Sequence, residues 1–162
     1  MSQLDSLVGF IKQNVPKRYM NEFDSWMDEP VLKRAQKAVG LNQRRLGVLV
    51  YNGTLSWGRF PYREFDPQII FALILVWLSA NSLDEQFQPE EPTIDLEVSD
   101  DKTADLTIQV GLVDEINVKP DEKGQIPIKG EKYAICSPII WTAEEISLVK
   151  GAALRESVND SR

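Results

Sequence analysis

Thr93-Ile94-Asp95-Leu96-Glu97-Val98-Ser99-Asp100-Asp101-Lys102-Thr103-Ala104-Asp105-Leu106-Thr107-Ile108-Gln109-Val110-Gly111-Leu112 is the stretch whose reading decides the fold. Ile94, Leu96 and Val98 alternate with Asp95 and Glu97, and after a polar turn Ala104, Leu106, Ile108, Val110 and Leu112 alternate again. A period of two belongs to a strand with one covered face. The stretch therefore predicts an antiparallel hairpin, with Ile94, Leu96 and Val98 facing in and Ser99-Asp100-Asp101-Lys102 as its turn.

Upstream, Asp66-Pro67 is a helix start, aspartate as cap and proline in the first turn. Every residue from 69 to 78 is apolar. Ten helical residues span roughly 15 Å, half of the roughly 30 Å a bilayer core demands, so this is no membrane span. A helix apolar all round is expected to be buried all round, as a central helix over about 67–81 covered by the sheet and by other helices or a neighbouring subunit. Before it, Gly47-Val48-Leu49-Val50-Tyr51 and Thr54-Leu55-Ser56-Trp57 flank Asn52-Gly53, a strong hairpin-turn signal. Residues 45–57 therefore predict two strands, or one long strand with a sharp bend, and 58–66 a loop. Pro30 followed by Ala35, Ala38, Val39 and Gly40 suggests a short helix with a glycine stop. Residues 17–29 suit a helix or a short strand. Ser2 with Asp5 three residues on has the form of a capping box. Leu4, Leu7, Val8, Ile11 and Val15 then recur at helical spacing, predicting an amphipathic helix over 3–14 that stops at Pro16.

Downstream, Ile116-Asn117-Val118, a turn over 120–124 and Ile126-Pro127-Ile128 suggest a protruding β-hairpin, with Pro127 restricting its segment to an edge. Residues 132–135 form a last short strand. Thr142 and Glu145 cap a short C-terminal helix that ends before Gly151. Residues 156–162 form a loose polar tail. The expected architecture is α+β, a mostly antiparallel sheet packed against the central apolar helix and the N-terminal helix, in a single domain over 1–155.

Composition narrows the chemistry. The chain of 162 residues contains no histidine and one cysteine, Cys136. Without histidine there is no Ser-His-Asp triad, no Cys-His dyad and no His-ligated metal site. A lone cysteine rules out an intrachain disulfide, and no basic leader followed by an apolar run opens the chain, so folding in the cytosol is expected. Net charge is -7, the wrong sign for a nucleic-acid coat. The charge is unevenly placed: residues 1–45 carry eight Lys/Arg against five Asp/Glu, whereas residues 84–105 carry nine Asp/Glu against one Lys. One edge or face should be strongly acidic, either as a solvated surface or as one that docks a basic partner or repels DNA.

The best catalytic candidate is the carboxylate group Asp95, Glu97 and Asp105 with Lys123 as a distant partner, the residue types of a Mg²⁺-dependent nuclease. Asp95 and Glu97 are also simply the outward positions of an alternating strand, which explains them fully. Cys136 reads as a core thiol rather than a nucleophile. The stretch Tyr51, Trp57, Phe60, Tyr62 and Phe65 with Arg59 and Arg63 has the residue types that anchor protein contacts. No phosphate loop, CxxC or zinc spacing is present. No catalytic, cofactor or metal residue is assigned. The candidate interface comprises Trp57, Arg59, Phe60, Tyr62, Arg63, Asp100, Asp101, Lys119 and Lys123.

Residues 44–135 resemble the tail completion protein R family of temperate contractile-tailed phages. The resemblance lies in the strand Arg45-Leu46-Gly47-Val48-Leu49-Val50-Tyr51, the apolar helix ending in Trp77-Leu78-Ser79-Ala80-Asn81, the segment 95–108 with its acidic turn, and residues 112–119 with the turn at Lys123-Gly124. The first forty residues match loosely, and the aromatic loop 57–65 looks like an addition. The resemblance implies a non-catalytic virion protein assembled in the bacterial host cytoplasm. Such a subunit closes with its own copies into a six-fold ring at the head-proximal end of the tail. The ring stops polymerisation of tail tube and sheath and joins a head-completion or neck protein, while DNA passes through the lumen without specific binding. It implies no cofactor and no membrane. The readings set beside it are a neck or baseplate connector, a carboxylate-metal nuclease and a monomeric adaptor for a host protein.

Overall fold

Ser2 opens the first helix by closing the capping box: its hydroxyl accepts the Asp5 N–H at 3.0 Å, and the Asp5 carboxylate accepts the Ser2 N–H at 3.3 Å. The computed structural model describes residues 2–81, 87 and 89–136. Helix α1 (Gln3–Asn14) is followed by a single 3₁₀ turn (Lys17–Tyr19) and two long strands, β1 (Phe23–Gly40) and β2 (Gln43–Phe60). Then come α2 (Pro67–Ala80), β3 (Thr93–Val98), β4 (Ala104–Pro120), β5 (Ile126–Ile128) and β6 (Glu131–Cys136). All six strands belong to one sheet of order β1-β2-β4-β6-β5, with β3 also on β4, and every pairing is antiparallel. The α+β expectation and the 93–112 hairpin stand, with Ile94 opposite Ile108 and Leu96 opposite Leu106.

Strand β4 organises the sheet. One of its edges pairs with β2 along almost its whole length, from Ala104 opposite Phe60 to Val118 opposite Arg44. The other edge is shared, with β3 taking residues 104–109 and β6 residues 117–120. Between those two partners the chain passes close to Gly111, where a Cβ would stand 2.3 Å from the Pro89 Cβ. Only glycine allows that approach. The expected ribbon over 116–128 is built into this sheet: β4 carries residues 116–120, and the β5–β6 pair is attached to β4 through β6. Pro127 lies on β5 at the end of the sheet order, where its missing N–H costs no ladder bond.

The largest departure from expectation is residues 30–40, which form strand rather than a helix. Their helix-favouring Ala, Gln and Lys are overruled by a full-length partner in β2. Pro30 sits in a bulge opposite Tyr51, beside Glu29 at φ 51°, which is where an edge strand tolerates proline. Gly40, expected as a helix stop, instead leads into the hairpin turn. Leu41 and Asn42 both have positive φ (50° and 61°), the two-residue type I′ geometry. Asn52-Gly53 is not a turn. β2 runs straight through it, and Gly53 serves close packing instead, since a Cβ there would stand 2.9 Å from Leu4 of α1 and 2.8 Å from Leu112 of β4. The expected loop over 58–66 shrinks to 61–66, because β2 continues to Phe60 through a bulge at Gly58 and Arg59.

The helices cover one face of the sheet. Leu4, Leu7, Phe10 and Ile11 of α1 meet Ile70, Ile74 and Trp77 of α2 above Tyr51, Leu55 and Trp57 of β2 and Leu106, Ile108, Val110 and Leu112 of β4. Each fully buried aliphatic or aromatic side chain contributes about 1.5–3 kcal/mol. The Trp77 indole N–H donates to the Ser6 hydroxyl at 3.2 Å, tying the two helices. Asp66 caps α2 by accepting the Gln68 N–H at 2.9 Å, as its sequence predicts. Helix α2 is not buried all round, however. Ile70, Ile74 and Trp77 are buried, while Ile69, Leu75 and Val76 are exposed. Ile94, Leu96 and Val98 share the helix side of the sheet through their pairing, yet are also exposed, because the helices do not reach over β3. Cys136 ends β6 half-buried. The expected C-terminal helix and tail, and the domain boundary at 155, lie outside the described residues.

Candidate assembly interface

Side chains of the 57–65 stretch divide by direction. Trp57 and Phe60 are each 1% exposed. Both belong to the core of the subunit, with the Trp57 ring 4.8 Å from Phe23 and 6.4 Å from Phe60. Their contribution to an interface is to fix the backbone beneath it. Tyr62, half-buried against the core, and the exposed Arg63 hold the acidic turn. The Tyr62 hydroxyl donates to the Asp100 carbonyl at 3.1 Å, and the Arg63 Nε donates to the Asp101 carbonyl. Asp100 shapes the turn from within, one carboxylate oxygen accepting the N–H groups of Lys102 (2.8 Å) and Thr103 (2.7 Å). Those backbone donors hold its carboxyl below the ordinary 3.8. Arg59, in left-handed geometry at φ 45°, pairs with Glu22 at 2.8 Å and donates its N–H to Asp105 at 3.1 Å. Tyr62, Arg63, Asp100, Asp101 and Arg59 therefore gather at one end of the sheet. Lys119 and Lys123 belong to the other end, at and beyond the last turn of β4.

Asp95, Glu97 and Asp105 share one face, Glu97 being directly opposite Asp105, but Lys123 is not among them. The stretch from Asp105 to Pro120 of β4 spans about 50 Å of strand. Among the described residues, no group of three or more Asp, Glu or Cys is placed to hold a metal ion. The three carboxylates instead belong to a larger pattern. The row Asp24, Ser56, Thr107, Asp95 crosses four strands, and Asp28 lies further along the same face. Residues between them, such as Phe23, Trp57 and Leu106, point to the helices, so period two sends these carboxylates to the opposite face. Five acids, Asp24, Asp28, Asp95, Glu97 and Asp105, thus decorate the face away from α1 and α2. Asp28 is fixed there by the Trp26 indole N–H (2.9 Å) and the Thr54 hydroxyl (2.5 Å).

Sequence reading missed the opposite edge. Lys33, Arg34 and Lys37 lie exposed on β1, with the exposed apolar Val31 and Leu32 beside them. Arg45 is buried at the same end of the sheet. Its Nε donates to the Ala35 carbonyl at 2.9 Å across a bulge, and its guanidinium pairs with Glu115 at 3.0 Å and lies 5.7 Å from the Phe87 ring. The alternation Val31-Leu32-Lys33-Arg34 is too short to show strand period, which is why its basic edge stayed hidden.

An outer strand with a basic segment at Lys33, Arg34 and Lys37, an acidic outer strand in β3, an apolar helix flank exposed among the described residues and a carboxylate-lined face describe a structural subunit that works through its surfaces. The chain belongs to the P2 phage tail completion protein R (GpR) family, whose model matches residues 1–136. It is also 30% identical over 144 residues to a protein of Haemophilus phage HP1 (strain HP1c1), described as an uncharacterized 19.2 kDa protein in the rep-hol intergenic region. That match covers 88% of this chain and 87% of the phage HP1 protein. No solved structure matches the chain.

Proposed function

We propose that this tail completion protein acts as a tail terminator. Copies close into a ring, hexameric by the resemblance of its sequence. The ring caps tube and sheath at the head-proximal end of the tail and offers the surface that a head-completion or neck protein joins. The observation that carries the reading is membership of the tail completion family across residues 1–136. The surface supports it. A cyclic ring needs two different complementary patches on each subunit, and this sheet has a basic segment at Lys33, Arg34 and Lys37 of β1 and an acidic strand in β3. The face away from α1 and α2, with its five carboxylates, suits a lumen through which DNA passes without adhering, since like charge repels phosphate. The exposed flank of α2 and the end formed by Tyr62, Arg63 and Asp101 are then left for tube, sheath or neck.

The test is particle production from a phage genome in which this gene alone is deleted. The expected products are tails of uncontrolled length, or tails and full heads that stay separate. Gold-labelled antibody on complete particles should mark the junction of head and tail. Normal joined particles without the protein, or label at the distal end, would overturn the proposal.

A further inference from the structure

We infer that the tip of the β1–β2 hairpin is a docking knob, and that Leu41 of one copy seats against Ile94, Leu96 and Val98 on β3 of the next copy in a head-to-tail contact. The inference rests on the ring reading and names the two patches that would close it.

Backbone geometry singles out the tip. Leu41 is held at φ 50° in the type I′ turn and is 92% exposed. Asparagine and glycine take that conformation readily, and leucine takes it against the crowding of its Cβ. A side chain that strains the backbone and buries nothing in its own subunit points to a partner outside it. Val39, just before the turn, is exposed as well. The outer edge of β1 is a poor alternative contact. Its register breaks between Asp28 and Val31, between Arg34 and Lys37, and again between Ala38 and Gly40. Such breaks disfavour the addition of another strand. The end of the hairpin, rather than its edge, is what a neighbour can take.

Charge selects the partner. Residues 30–51 hold five Lys/Arg and no Asp/Glu. Arg45 is buried and paired with Glu115, whereas Lys37 and Arg44, on either side of the turn, are exposed. The acids of β1 stand at its other end, Glu29 being roughly 35–40 Å of strand from Leu41. Asp121 and Glu122, past the end of β4, are offset by Lys119 and Lys123. Residues 93–105 have the opposite character, five Asp/Glu against Lys102. Among them Ile94, Leu96 and Val98 stay 40–61% exposed on the helix side. An apolar knob among bases thus meets an apolar strip among acids. The two patches lie at opposite ends of the sheet. Arg44 pairs with Val118 and β3 with residues 104–109, about 30 Å away along β4. One chain cannot bring its own two patches together, whereas a head-to-tail row joins them, and a row that turns by a constant angle closes as a ring. DNA phosphates would engage the bases but leave Leu41 in water, so a protein surface is the better match.

The experiment uses the full chain supplied to a phage lacking its own copy. Leu41→Asn with Asn42→Gly keeps the turn and removes the knob. The purified variant should melt no lower than the native chain, yet its yield of joined particles should fall at least about tenfold. A merely structural role for Leu41 would move both readouts together. Lys37→Glu with Arg44→Glu should lower the yield by a similar factor. The contact itself is read by Leu41→Cys with Leu96→Cys in a Cys136→Ser chain, oxidised within particles. Both positions are exposed, and the product should be a ladder ending in a closed ring. Asp95→Cys in place of Leu96→Cys, on the other face of β3, should abolish the ladder. Native yield from the Leu41→Asn, Asn42→Gly chain, no cross-link, a cross-link that stops at the dimer, or an equal ladder from Asp95→Cys would overturn the inference. So would duplex DNA bound by the native chain and released by Lys37→Glu with Arg44→Glu. If the ring reading itself fails, the native chain will be missing from the head–tail junction. If only the tip contact is wrong, the native chain will be there as a ring, and the Leu41→Asn, Asn42→Gly chain will be there with it.

Discussion

The Tyr51 hydroxyl donates to the Asp114 carboxylate at 2.9 Å and accepts the Leu4 N–H at 3.2 Å. Asp114 in turn accepts the Gln3 N–H at 2.8 Å, and the Gln3 side chain accepts the Val113 N–H at 3.0 Å. The first turn of α1 is thereby pinned to β2 and β4, its unsatisfied donors met by the sheet.

Tyr51→Phe should cost about 1–3 kcal/mol, since it leaves the Leu4 N–H and one Asp114 oxygen without their partner. Urea unfolding measures it. Burial, and then the adjacent Asp114 charge, push the Tyr51 hydroxyl above its ordinary 10.0. The folded chain keeps that proton while the unfolded chain loses it. Stability is therefore unaffected below pH 10 and should fall as pH rises beyond it, by up to about 1.4 kcal/mol per pH unit. Tyr51→Phe should lack this part of the alkaline slope.

Gly53 should resist a large side chain, for a reason opposite to that of a turn glycine. Its φ is not positive, and the obstruction is Leu4 and Leu112. Gly53→Ala, which displaces the methyl ends of Leu4 and Leu112, should cost about 1 kcal/mol, and Gly53→Val, which crowds α1 itself, about 3 kcal/mol. Thermal melting, with amide exchange in α1, checks both. Gly53→Asn, harmless in a type I′ turn, should be as damaging here.

Trp57→Ala should cost about 3–5 kcal/mol, the range for a deeply buried aromatic. Tyr62→Phe, losing one exposed hydrogen bond and keeping the half-buried ring, should cost about 1 kcal/mol or less. Chemical denaturation of the two variants separates the residue that supports the loop from the residue that the loop presents.

The β1–β2 turn holds Leu41 in the left-handed region, where a leucine costs about 1–3 kcal/mol. The side chain is 92% exposed, so nothing within the subunit offsets that cost. Leu41→Asn with Asn42→Gly installs the residues that this turn geometry favours. It should raise the stability of the isolated chain by about 1 kcal/mol in a melting experiment.

Asp100 and Asp101 should behave differently although they are neighbours. Asp101→Lys should leave the fold intact and weaken head–tail joining. Asp100→Lys should also unravel the β3–β4 turn, seen as faster amide exchange at Lys102 and Thr103. With its carboxyl held below 3.8 by those two N–H groups, the contribution of Asp100 is present above that pH. It is lost as pH falls through the lowered value, which carboxyl NMR titration would follow.

The parts of the fold legible in the sequence are those whose signal is local. The capping box of Ser2 and Asp5, the Asp66-Pro67 start and the alternation of 104–112 each state their structure within a few residues. The parts that were not legible depend on a distant partner. Residues 30–40 are strand because β2 lies beside them, and Gly53 is glycine because α1 crosses over it. Exposure on α2 and β3 was hidden for a related reason: periodicity tells which side a residue takes but not how far the covering layer extends. At the site, the Tyr62-Arg63 stretch and the acidic turn were each legible as interface candidates, but not that the first holds the second, because those contacts join residues 38 apart. The basic segment at Lys33, Arg34 and Lys37 was not legible, because only the pairing with β2 places it on an outer strand.

The place of β4 in the chain has a consequence for synthesis. From Phe60 at the end of β2 to Pro120 at the end of β4, translation takes on the order of 3–12 s at about 5–20 residues per second. Until then the nascent hairpin shows Leu55 and Trp57 to water with no strand on its inner side. In bacterial overproduction the soluble fraction should follow this waiting time, so that slow expression in the cold loses less chain to inclusion bodies than a stronger promoter does.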